Sequence, residues 1–519
     1  MHTLEEALQD WEAVIGLEIH AELTYLNTKM FCSCKLEYGD EPNTNVCPVC
    51  LGLPGALPQP NRAAVQAIVA AGLATGCRIM PRSMFYRKNY FYPDMSKNFQ
   101  TTQGPVAFCM DGGFDLEIEG KAALERKVLA GTDPLDGAKG YRTHIDIERI
   151  HLEEDAGKLT HMGGESGRIS GAAYSLVDYN RCGTPLIELV TRPDLRTPEE
   201  ARHFMQTLRT IYRAIHISDC SMEKGSLRCD GNVSLRRRGE TELGTKTELK
   251  NMNSFKSLHD GLAYEIRRQA EILEEGGQVV QETRHFEPAS GRTISMRKKE
   301  TAADYRLFPE PDMVPFDLSE EFIEGVRASL PELPQAKRER YITDYALSRQ
   351  TARELAADPD LSAAFDAALN SSTATAKAAP TWAKKCANLL LNQVTAYLKE
   401  THHELSESAL KPADLAAVAS ALETGQLSSN QADQVLTKLL DGSGKLDELL
   451  ASCAAESQDS GELDALVSQV LADNPDKVTQ YKAGKTGLIG FFVGQVMQLS
   501  QGKANPKQAN QLLSAALAG

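Results

Sequence analysis

Apolar and polar residues alternate strictly in the stretch VIGLEIHAEL, residues 14–23, which predicts a β-strand with two different faces. Successive side chains of a strand point to opposite sides of the sheet. One side carries the apolar residues Leu17, Ile19, Ala21 and Leu23. The other side carries Glu18, His20 and Glu22.

A second alternating stretch, GSLRCDGNVSLR at residues 225–236, predicts another two-faced strand. A row of Arg, Asp and Asn on one face is more than solubility requires, and it favours a polar channel or site over a plain wetted surface. Its polar side carries Ser226, Arg228, Asp230, Asn232, Ser234 and Arg236.

Helical spacing occurs at residues 61–75, where Asn61 is a suitable N-cap, and again after Thr197 and Pro198. From about residue 318 strand alternation disappears, and helical segments rich in Ala, Leu and charged residues follow one another. The pattern predicts an α+β protein with a mixed or antiparallel sheet. We expect three parts, residues 1–317, 318–400 and 401–519, of which the last two are all-α.

The composition is that of a soluble globular protein, with 42% hydrophobic and 24% charged residues in 519. No run of apolar residues is long enough for a membrane span. The first ten residues carry Glu5, Glu6 and Asp10, which argues against a secretory signal or a transit peptide and favours the cytoplasm.

The net charge of −15 argues against a surface that binds nucleic acid throughout. The last part of the chain is locally basic, however, because no acidic residue follows Asp476. Two interpretations of this tail are open, an RNA-docking module and an ordinary solvated helix face. Its lysines are Lys477, Lys482, Lys485, Lys503 and Lys507.

Four of the eleven cysteines form two close pairs, Cys32 with Cys34 and Cys47 with Cys50. Four thiolates at this spacing can surround Zn²⁺ as a tetrahedron. An odd number of cysteines in a long chain without a secretory signal favours reduced thiols and a metal site over a disulfide framework. We expect a structural zinc that fixes the loop after the first strand; the alternative is four free thiols.

Acidic residues at three places are candidates for binding a hard cation. The first is the face with Glu18 and His20, because carboxylates and an imidazole suit Mg²⁺; the alternative is an amphipathic strand with a wetted face. Glu188 lies in the apolar run LIELV, where a carboxylate is costly unless it is paired or metal-bound. The third place, residues 153–155, reads Glu-Glu-Asp and is equally consistent with a solvent-facing loop.

Basic and aromatic residues are interleaved in the stretch FYRKNYFYPDMSKNF, residues 85–99. This combination suits a phosphate or a nucleotide base. A half-buried aromatic strand with solvated lysines is the alternative.

Several motifs together resemble the GatB family, the B subunits of the bacterial aspartyl/glutamyl-tRNA amidotransferases. The resemblance spans essentially the whole chain and is weakest at residues 111–141 and 371–375. Besides the four cysteines, the motifs are VIGLEIHAE (14–22), RKNYFYPD (87–94), HLEEDAGK (151–158), GTPLIELV (183–190), GSLRCDGNVS (225–234), DYRLFPEPD (304–312) and GKANPK (502–507).

The resemblance implies a cradle-shaped catalytic domain followed by two helical modules, and it implies a reaction. ATP phosphorylates the side-chain carboxyl of glutamate or aspartate mischarged on tRNA-Gln or tRNA-Asn. Ammonia then displaces the phosphate and leaves an amide, so the enzyme is a C–N ligase with glutamine as amide donor. ATP, Mg²⁺ and a structural Zn²⁺ are the implied cofactors.

The resemblance also implies roles for individual residues. The Mg²⁺ ligands would be Glu18, His20, Glu154 and Glu188. Lys88 and Lys97 would contact phosphate or the mouth of an ammonia channel, near Tyr90 and Tyr92. The channel itself would be lined by Arg228, Asp230 and Tyr90. The tRNA would contact Lys485, Lys503 and Lys507. Motif positions with no separate role are Glu153, Asp155 and Asp304.

The chain has neither a Ser-Ser-Gly-rich amidase signature nor a cysteine glutaminase constellation, so it should not make its own ammonia. The resemblance therefore implies a heterotrimer with an amidase (GatA) and a small third protein (GatC), besides mischarged tRNA. One alternative is a non-catalytic zinc protein that binds RNA, which leaves Glu18 and Glu188 unexplained. Another is a free-standing ATP-dependent amide ligase acting on a small acid, which leaves the basic tail unexplained.

Overall fold

A sheet dominates the first part of the chain and helices make up the rest. The computed structural model describes residues 3–119, 133–135, 140–163, 171–250, 252–298, 305–372, 380–457, 460–500, 504 and 506–518. The chain divides into two units, Met1–Leu333 and Pro334–Gly519. The predicted α+β class is confirmed.

All strands that the structure describes lie in the first unit. In chain order, their bounds in the described residues are β1 Trp11–Glu22, β2 Arg78–Ile79, β3 Arg82–Ser83, β4 Phe85–Asn89, β5 Phe99–Gln103, β6 Cys109–Glu119, β7 Asp133–Pro134, β8 Gly140–Glu154, β9 Lys158–Met162, β10 Tyr174–Asp178, β11 Pro185–Thr191, β12 Leu227–Arg237, β13 Thr247–Lys250, β14 Glu282–Glu287, β15 Arg292–Lys298, β16 Phe308–Pro309 and β17 Phe316–Asp317.

Thirteen of the described strands form one mixed sheet, with the order β15-β14-β13-β12-β1-β11-β8-β5-β4-β16. Strand β6 pairs with β8 and β2, and β7 pairs with β8. The pair β13–β14 is parallel, while the pairs around β1, β11 and β8 are antiparallel. Two small sheets join β9 to β10 and β3 to β17. Strand β1 therefore lies near the middle of the main sheet.

In the described residues of the first unit, five helices accompany the sheet: α1 Leu4–Asp10, α2 Arg62–Ala74, α3 Pro198–Ala214, α4 Phe255–Glu274 and α5 Glu320–Ser329. Asn61 caps α2 through hydrogen bonds from two backbone N–H groups, and Thr197 caps α3, as the sequence predicts. Helices α2, α3 and α4 pack on the sheet and share one buried apolar cluster with Ile19, Leu189 and Leu152. The other face of the central strands is thereby left for polar side chains.

The second unit is helical throughout its described residues. Its helices are α6 Pro334–Tyr345, α7 Arg349–Ala356, α8 Pro359–Ser371, α9 Pro380–Asn388, α10 Thr395–Thr401, α11 Pro412–Thr424, α12 Ser429–Leu440, α13 Leu446–Ser457, α14 Ser460–Ala472, α15 Pro475–Lys482, α16 Ile489–Leu499 and α17 Pro506–Ala518, with a π-helical turn at Leu389–Val394.

Two separate buried clusters lie in this unit, one between residues 341 and 453 and one between residues 467 and 517. The first cluster contains residues from both sides of residue 400. The division into modules 1–317, 318–400 and 401–519 stays a prediction. Among the described residues, no helix combines the length and apolar character that crossing a bilayer requires.

Candidate active site and cysteine cluster

The pairing of β1 with its two neighbours brings the candidate residues to one face of the sheet. His20 is directly opposite Glu188 on β11 and Arg228 on β12, and Glu18 is opposite Asp230. Directly paired residues of antiparallel strands point to the same side. The apolar face of β1 is covered by the helices, so this side is the polar face of the sheet.

Glu18, His20 and Glu188 form a compact cluster on the polar face. One ligand atom from each lies within 4.8 Å of the other two. The Nε2 atom of His20 is 3.8 Å from Glu18 Oε1 and 3.5 Å from Glu188 Oε2. These oxygen and nitrogen donors suit a divalent cation of the Mg²⁺ class. Three of the four residues expected to bind Mg²⁺ are thus close together.

Glu153 lies beside this cluster, in contact with His20. Glu153 Oε1 lies 3.9 Å from His20 Nε2 and its side chain is 3% exposed. Thr102 on β5 donates a hydrogen bond of 3.0 Å to Glu153 Oε2. Glu154 contacts Lys97 and Thr101 on the other face of β8, and its role as a Mg²⁺ ligand stays a prediction.

The charges of this cluster perturb one another strongly. Burial and the charge on Glu188 raise the pKa of Glu153 to about 7. Burial works against the ionised form of Glu188, but its hydrogen bond with His20 lowers its pKa to about 2. Burial alone would lower the pKa of His20, yet the surrounding carboxylates raise it. Opposed shifts in one place are typical of functional sites.

Lys88 approaches the cluster along the polar face. It lies on β4, and the register through β5 places its side chain on the same side as Glu153. Its charge lowers the pKa of both Glu153 and Glu188. The ammonium group also lies 5.1 Å from the ring centre of Tyr305. Tyr90 and Tyr92 follow β4, half-exposed, with ring centres 6.0 Å apart.

A network of acids and arginines continues the polar face beyond His20. Arg228 donates a hydrogen bond of 2.7 Å to Asp155 and lies 4.0 Å from Glu22. Burial and the neighbouring Asp155 raise the pKa of Glu22 to about 8. Asp230 is paired with Lys250 on β13 at 2.5 Å. The resemblance implies a role in the ammonia channel for Arg228 and Asp230, but it implies no separate role for Asp155 or Glu22.

Lys97 lies with Glu154 on the opposite face. Their side chains form an ion pair, and the N–H of Thr101 donates a hydrogen bond of 2.9 Å to the same carboxylate. Both side chains are almost completely buried, with 9% and 2% exposed. They line a cavity of about 220 Å³ that the cysteine loop closes on one side. The structure thus separates Lys97 from Lys88.

Arg87 and Glu310 form a further ion pair in this cavity, which sequence reasoning missed. Arg87 donates two hydrogen bonds to Glu310, at 2.8 and 2.7 Å, and its guanidinium lies over the ring of Phe99. A bidentate pair of this kind fixes both side chains. The motif DYRLFPEPD contains Glu310, but only the pairing of β16 with β4 brings it to Arg87.

A second cavity, of about 390 Å³, adjoins the cation cluster on the polar face. Gly16 is one of its lining residues. The charged side chains in the lining are Glu18, Glu148, Arg149 and Lys246. The volume is within the range of small-molecule sites, about 300–1,000 Å³.

The four cysteines of the loop after β1 come together as the spacing predicts. Sulfur atoms of Cys32, Cys34, Cys47 and Cys50 all lie within 4.8 Å of one another. The two sulfurs of Cys47 and Cys50 are 3.9 Å apart, close to the roughly 3.8 Å of a tetrahedron with Zn–S bonds of about 2.3 Å. A hydrogen bond from Cys32 lowers the pKa of Cys50 to about 5. This cluster could hold a metal ion.

The candidate tRNA contacts are only partly within the described residues. Lys485 is exposed, between α15 and α16 of the second unit. The side chains of Lys503 and Lys507, and Asp304, lie outside the described part of the chain. The role of these residues stays a prediction.

Comparison with known proteins gives matches over both units. The family described as the GatB/GatE catalytic domain matches residues 13–324, and the family described as the GatB domain matches residues 371–517. The first match contains every residue of the cation cluster and all four clustered cysteines.

Full-length relatives carry one common name, the B subunit of aspartyl/glutamyl-tRNA(Asn/Gln) amidotransferase. The protein of Carboxydothermus hydrogenoformans is 44% identical over 98% of this chain and its own whole length. That of Persephonella marina is 42% identical over 97% of this chain and 99% of the relative. That of Thermobifida fusca is 45% identical over 98% of this chain and 94% of the relative.

Proposed function

The chain belongs to the GatB family of tRNA-dependent amidotransferase subunits, and from this membership we propose that it activates and amidates the side-chain carboxyl of mischarged tRNA. The observation that carries the proposal is the cluster of Glu18, His20 and Glu188, with Glu153 beside it. The substrates are glutamate on tRNA-Gln, aspartate on tRNA-Asn, or both.

The reaction needs two steps because a carboxylate is a poor acceptor for a neutral amine. In the first step an oxygen of the carboxylate attacks the γ-phosphorus of ATP, which forms an acyl phosphate and releases ADP. In the second step ammonia attacks the acyl carbon, phosphate leaves with the bonding electron pair, and the amine loses a proton. Positioning and charge compensation supply most of the catalysis in phosphoryl transfer.

The cation cluster is the place for the phosphates of ATP. Glu18, His20, Glu188 and Glu153 would hold Mg²⁺, which when bound offsets the negative charge that the phosphate oxygens develop. Lys88 adds a positive charge on the same face, toward the transferred phosphoryl group. The adjoining cavity with Gly16, Arg149 and Lys246 is suited to the rest of the nucleotide.

Ammonia comes from a partner and follows the polar face. In this proposal Arg228, Asp155, Asp230 and Tyr90 border the path toward the cluster. An amidase partner supplies the ammonia from glutamine, and a small third protein completes the heterotrimer. Because the substrate is an aminoacyl-tRNA, the cytoplasm is the place of action.

The cysteine cluster takes a structural zinc. Four thiolates fill all positions of a tetrahedral ion, so no position is open for a substrate. The basic tail after Asp476 contacts the tRNA, with Lys485, Lys503 and Lys507 as the proposed phosphate contacts.

Reconstitution tests this proposal directly. The chain is purified together with an amidase and a small third protein, and mischarged tRNA, ATP and glutamine are added. Amidated tRNA and stoichiometric ADP are expected, and both should disappear when this chain is left out. ADP release that ignores mischarged tRNA but responds to a free small acid would favour the small-acid ligase instead.

A further inference from the structure

We propose that Lys29 is the counter-charge of the cysteine metal centre: its ammonium group donates a hydrogen bond to Cys50 Sγ and offsets the negative charge of the metal-bound thiolates. This inference rests on the zinc site proposed above. It concerns a residue outside every motif that the sequence analysis singled out.

Lys29 is fully buried, which is unusual for a lysine. Its side chain is inaccessible to solvent, and no other lysine in the described part of the chain is classed as buried. Lysine is almost never fully buried without a partner, because removing an ammonium group from water is costly. A negative charge close to this group would offset that cost.

The partners of the ammonium group identify that charge. Nζ lies 3.7 Å from Cys50 Sγ and 3.1 Å from the carbonyl oxygen of Tyr179. Among the described residues, no carboxylate forms an ion pair with it. A carbonyl is a dipole without net charge, so of these two partners only the sulfur of Cys50 can carry a negative charge.

Charge balance explains why a lysine fits this place. Four thiolates around a divalent ion carry a net charge of about −2, and one ammonium group in contact removes half of it. Metal and Lys29 thus stabilise each other.

The backbone also holds Lys29 in place beside the loop. Its N–H donates a hydrogen bond of 3.0 Å to the carbonyl of Cys34, and the next N–H, of Met30, donates to Gly183 at 2.7 Å. Gly183 has a positive φ of 88° and passes close to the lysine stem and Cys50. The side chain is therefore directed at the sulfur by contacts on two sides.

Zinc affinity of matched variants tests the proposal. Lys29→Met removes the charge and the donor, Lys29→Gln keeps a donor, and Lys35→Met removes an exposed lysine of the same loop. Competition with a chromophoric chelator should show zinc binding about 10–100-fold weaker in Lys29→Met, an intermediate loss in Lys29→Gln, and no loss in Lys35→Met. Equal affinity of wild type and Lys29→Met would overturn the role of Lys29 alone. A wild-type chain that takes up no zinc would overturn the zinc site and this inference with it.

Two further measurements separate the hydrogen bond from a packing role. In the cobalt-loaded protein, the sulfur-to-metal charge-transfer band should shift to lower energy in Lys29→Met but not in Lys35→Met, since a hydrogen bond stabilises the sulfur lone pairs. If the variants do not fold, a chemical-protection experiment on the wild-type protein tests the proposal instead. Lys29 should resist an amine-acylating reagent in the zinc-loaded protein and react after chelation, as detected by mass spectrometry. Equal protection in both states would contradict the proposal.

Discussion

Glu153 and Glu154 are neighbours in the chain, but their carboxylates lie on opposite faces of the central sheet. Glu153 Oε1 is 3.9 Å from His20 Nε2, whereas Glu154 is paired with Lys97 and accepts the N–H of Thr101. Glu153 therefore shares the face of His20, and Glu154 does not.

The two acids should respond differently to the same substitution. Glu153→Gln is expected to raise the Mg²⁺ concentration for half-maximal ADP release by about tenfold or more, because it removes a negative charge next to the ion. Glu154→Gln is expected to leave this Mg²⁺ requirement unchanged and to lower Tm, because it leaves buried Lys97 without its partner. A Mg²⁺ titration of the reconstituted complex measures the first effect. The reverse result would return Glu154 to the ligand set.

Glu188→Ala should abolish ATP-dependent phosphorylation while mischarged tRNA still binds. Glu188 contacts His20 and lies at the centre of the cluster, so we expect a loss of about a hundredfold or more in ADP release. Filter binding of mischarged tRNA measures the retained affinity. As a control, Glu12→Ala removes a carboxylate from the far end of β1, about 20 Å from Glu18, and should keep the activity. Turnover that survives Glu188→Ala would show that the cation site lies elsewhere.

Cys47→Ser should release the structural zinc and destabilise the first unit. We expect zinc to fall from about one ion per chain to near zero, with a lower Tm, because the loop loses its cross-link. Atomic absorption and thermal unfolding measure the two effects. Cys386→Ser, which changes a buried thiol of the second unit, should keep the zinc. Unchanged zinc content in Cys47→Ser would mean that the metal has other ligands.

The basic tail should contribute to tRNA affinity through charge. Deleting everything after Asp476 would remove Phe492, Val496 and Leu513 from their buried cluster, so a substitution is the cleaner test. The double variant Lys482→Ala/Lys485→Ala should bind tRNA more weakly and reduce the slope of log affinity against log salt by about 2. Lys256→Ala, an exposed lysine of the first unit, is the control. A slope equal to that of wild type would exclude these lysines as phosphate contacts.

Glu199 should make stability depend on pH in the acidic range. It lies in the first turn of α3, 3.1 Å from His203 and 3.8 Å from His259 of α4. Burial opposes its ionisation, but hydrogen bonds with His203 and Arg202 lower its pKa from 4.5 to about 2. A lowered carboxyl pKa stabilises the fold above the unfolded-state value and loses this contribution as the pH falls toward the folded-state value.

The Tm of wild type should therefore exceed that of Glu199→Gln by a constant margin above about pH 4.5. The margin should narrow as the pH falls toward about 2. Thermal unfolding across this range measures it, and Glu320→Gln, at an exposed acid of α5, should show no such dependence. If the Tm difference between wild type and Glu199→Gln grew as the pH fell, the ion-pair explanation would be contradicted.

The sequence predicts most of the polar face because strand periodicity is a local property. Alternation in β1 and β12 assigns Glu18, His20, Arg228 and Asp230 to one side, and the structure agrees. Helix caps at Asn61 and Thr197 are equally local, and the helix starts were correct.

The faces that Glu153 and Glu154 take are harder to predict, because they depend on a change of phase within β8. The pairing of β8 shifts near Arg149, where a bulge interrupts the register with β11. Apolar residues lie at 145 and 147 before the bulge, and at 150 and 152 after it. Leu152 is buried in the core, so Glu154 shares its face and Glu153 takes the other. This change in the spacing of apolar residues is visible in the sequence.

Contacts between segments that are far apart in the chain leave no such pattern in the sequence. Lys29 and Cys50 meet only because the loop folds back on the end of β1, and Arg87 meets Glu310 only through pairing of strands more than 200 residues apart. Neither hydrophobic periodicity nor residue spacing encodes such a contact.

Strand β1 has a partner along both edges, with β12 from Trp11 to Ala21 and with β11 from Glu18 to Glu22. Inserting or deleting one residue before Glu18 would turn every later side chain of the strand to the wrong side and break its match with two neighbours at once. Loops can lengthen or shorten without this penalty. During evolution, relatives of this chain should therefore vary in loop length while the spacing of Glu18 and His20 stays fixed.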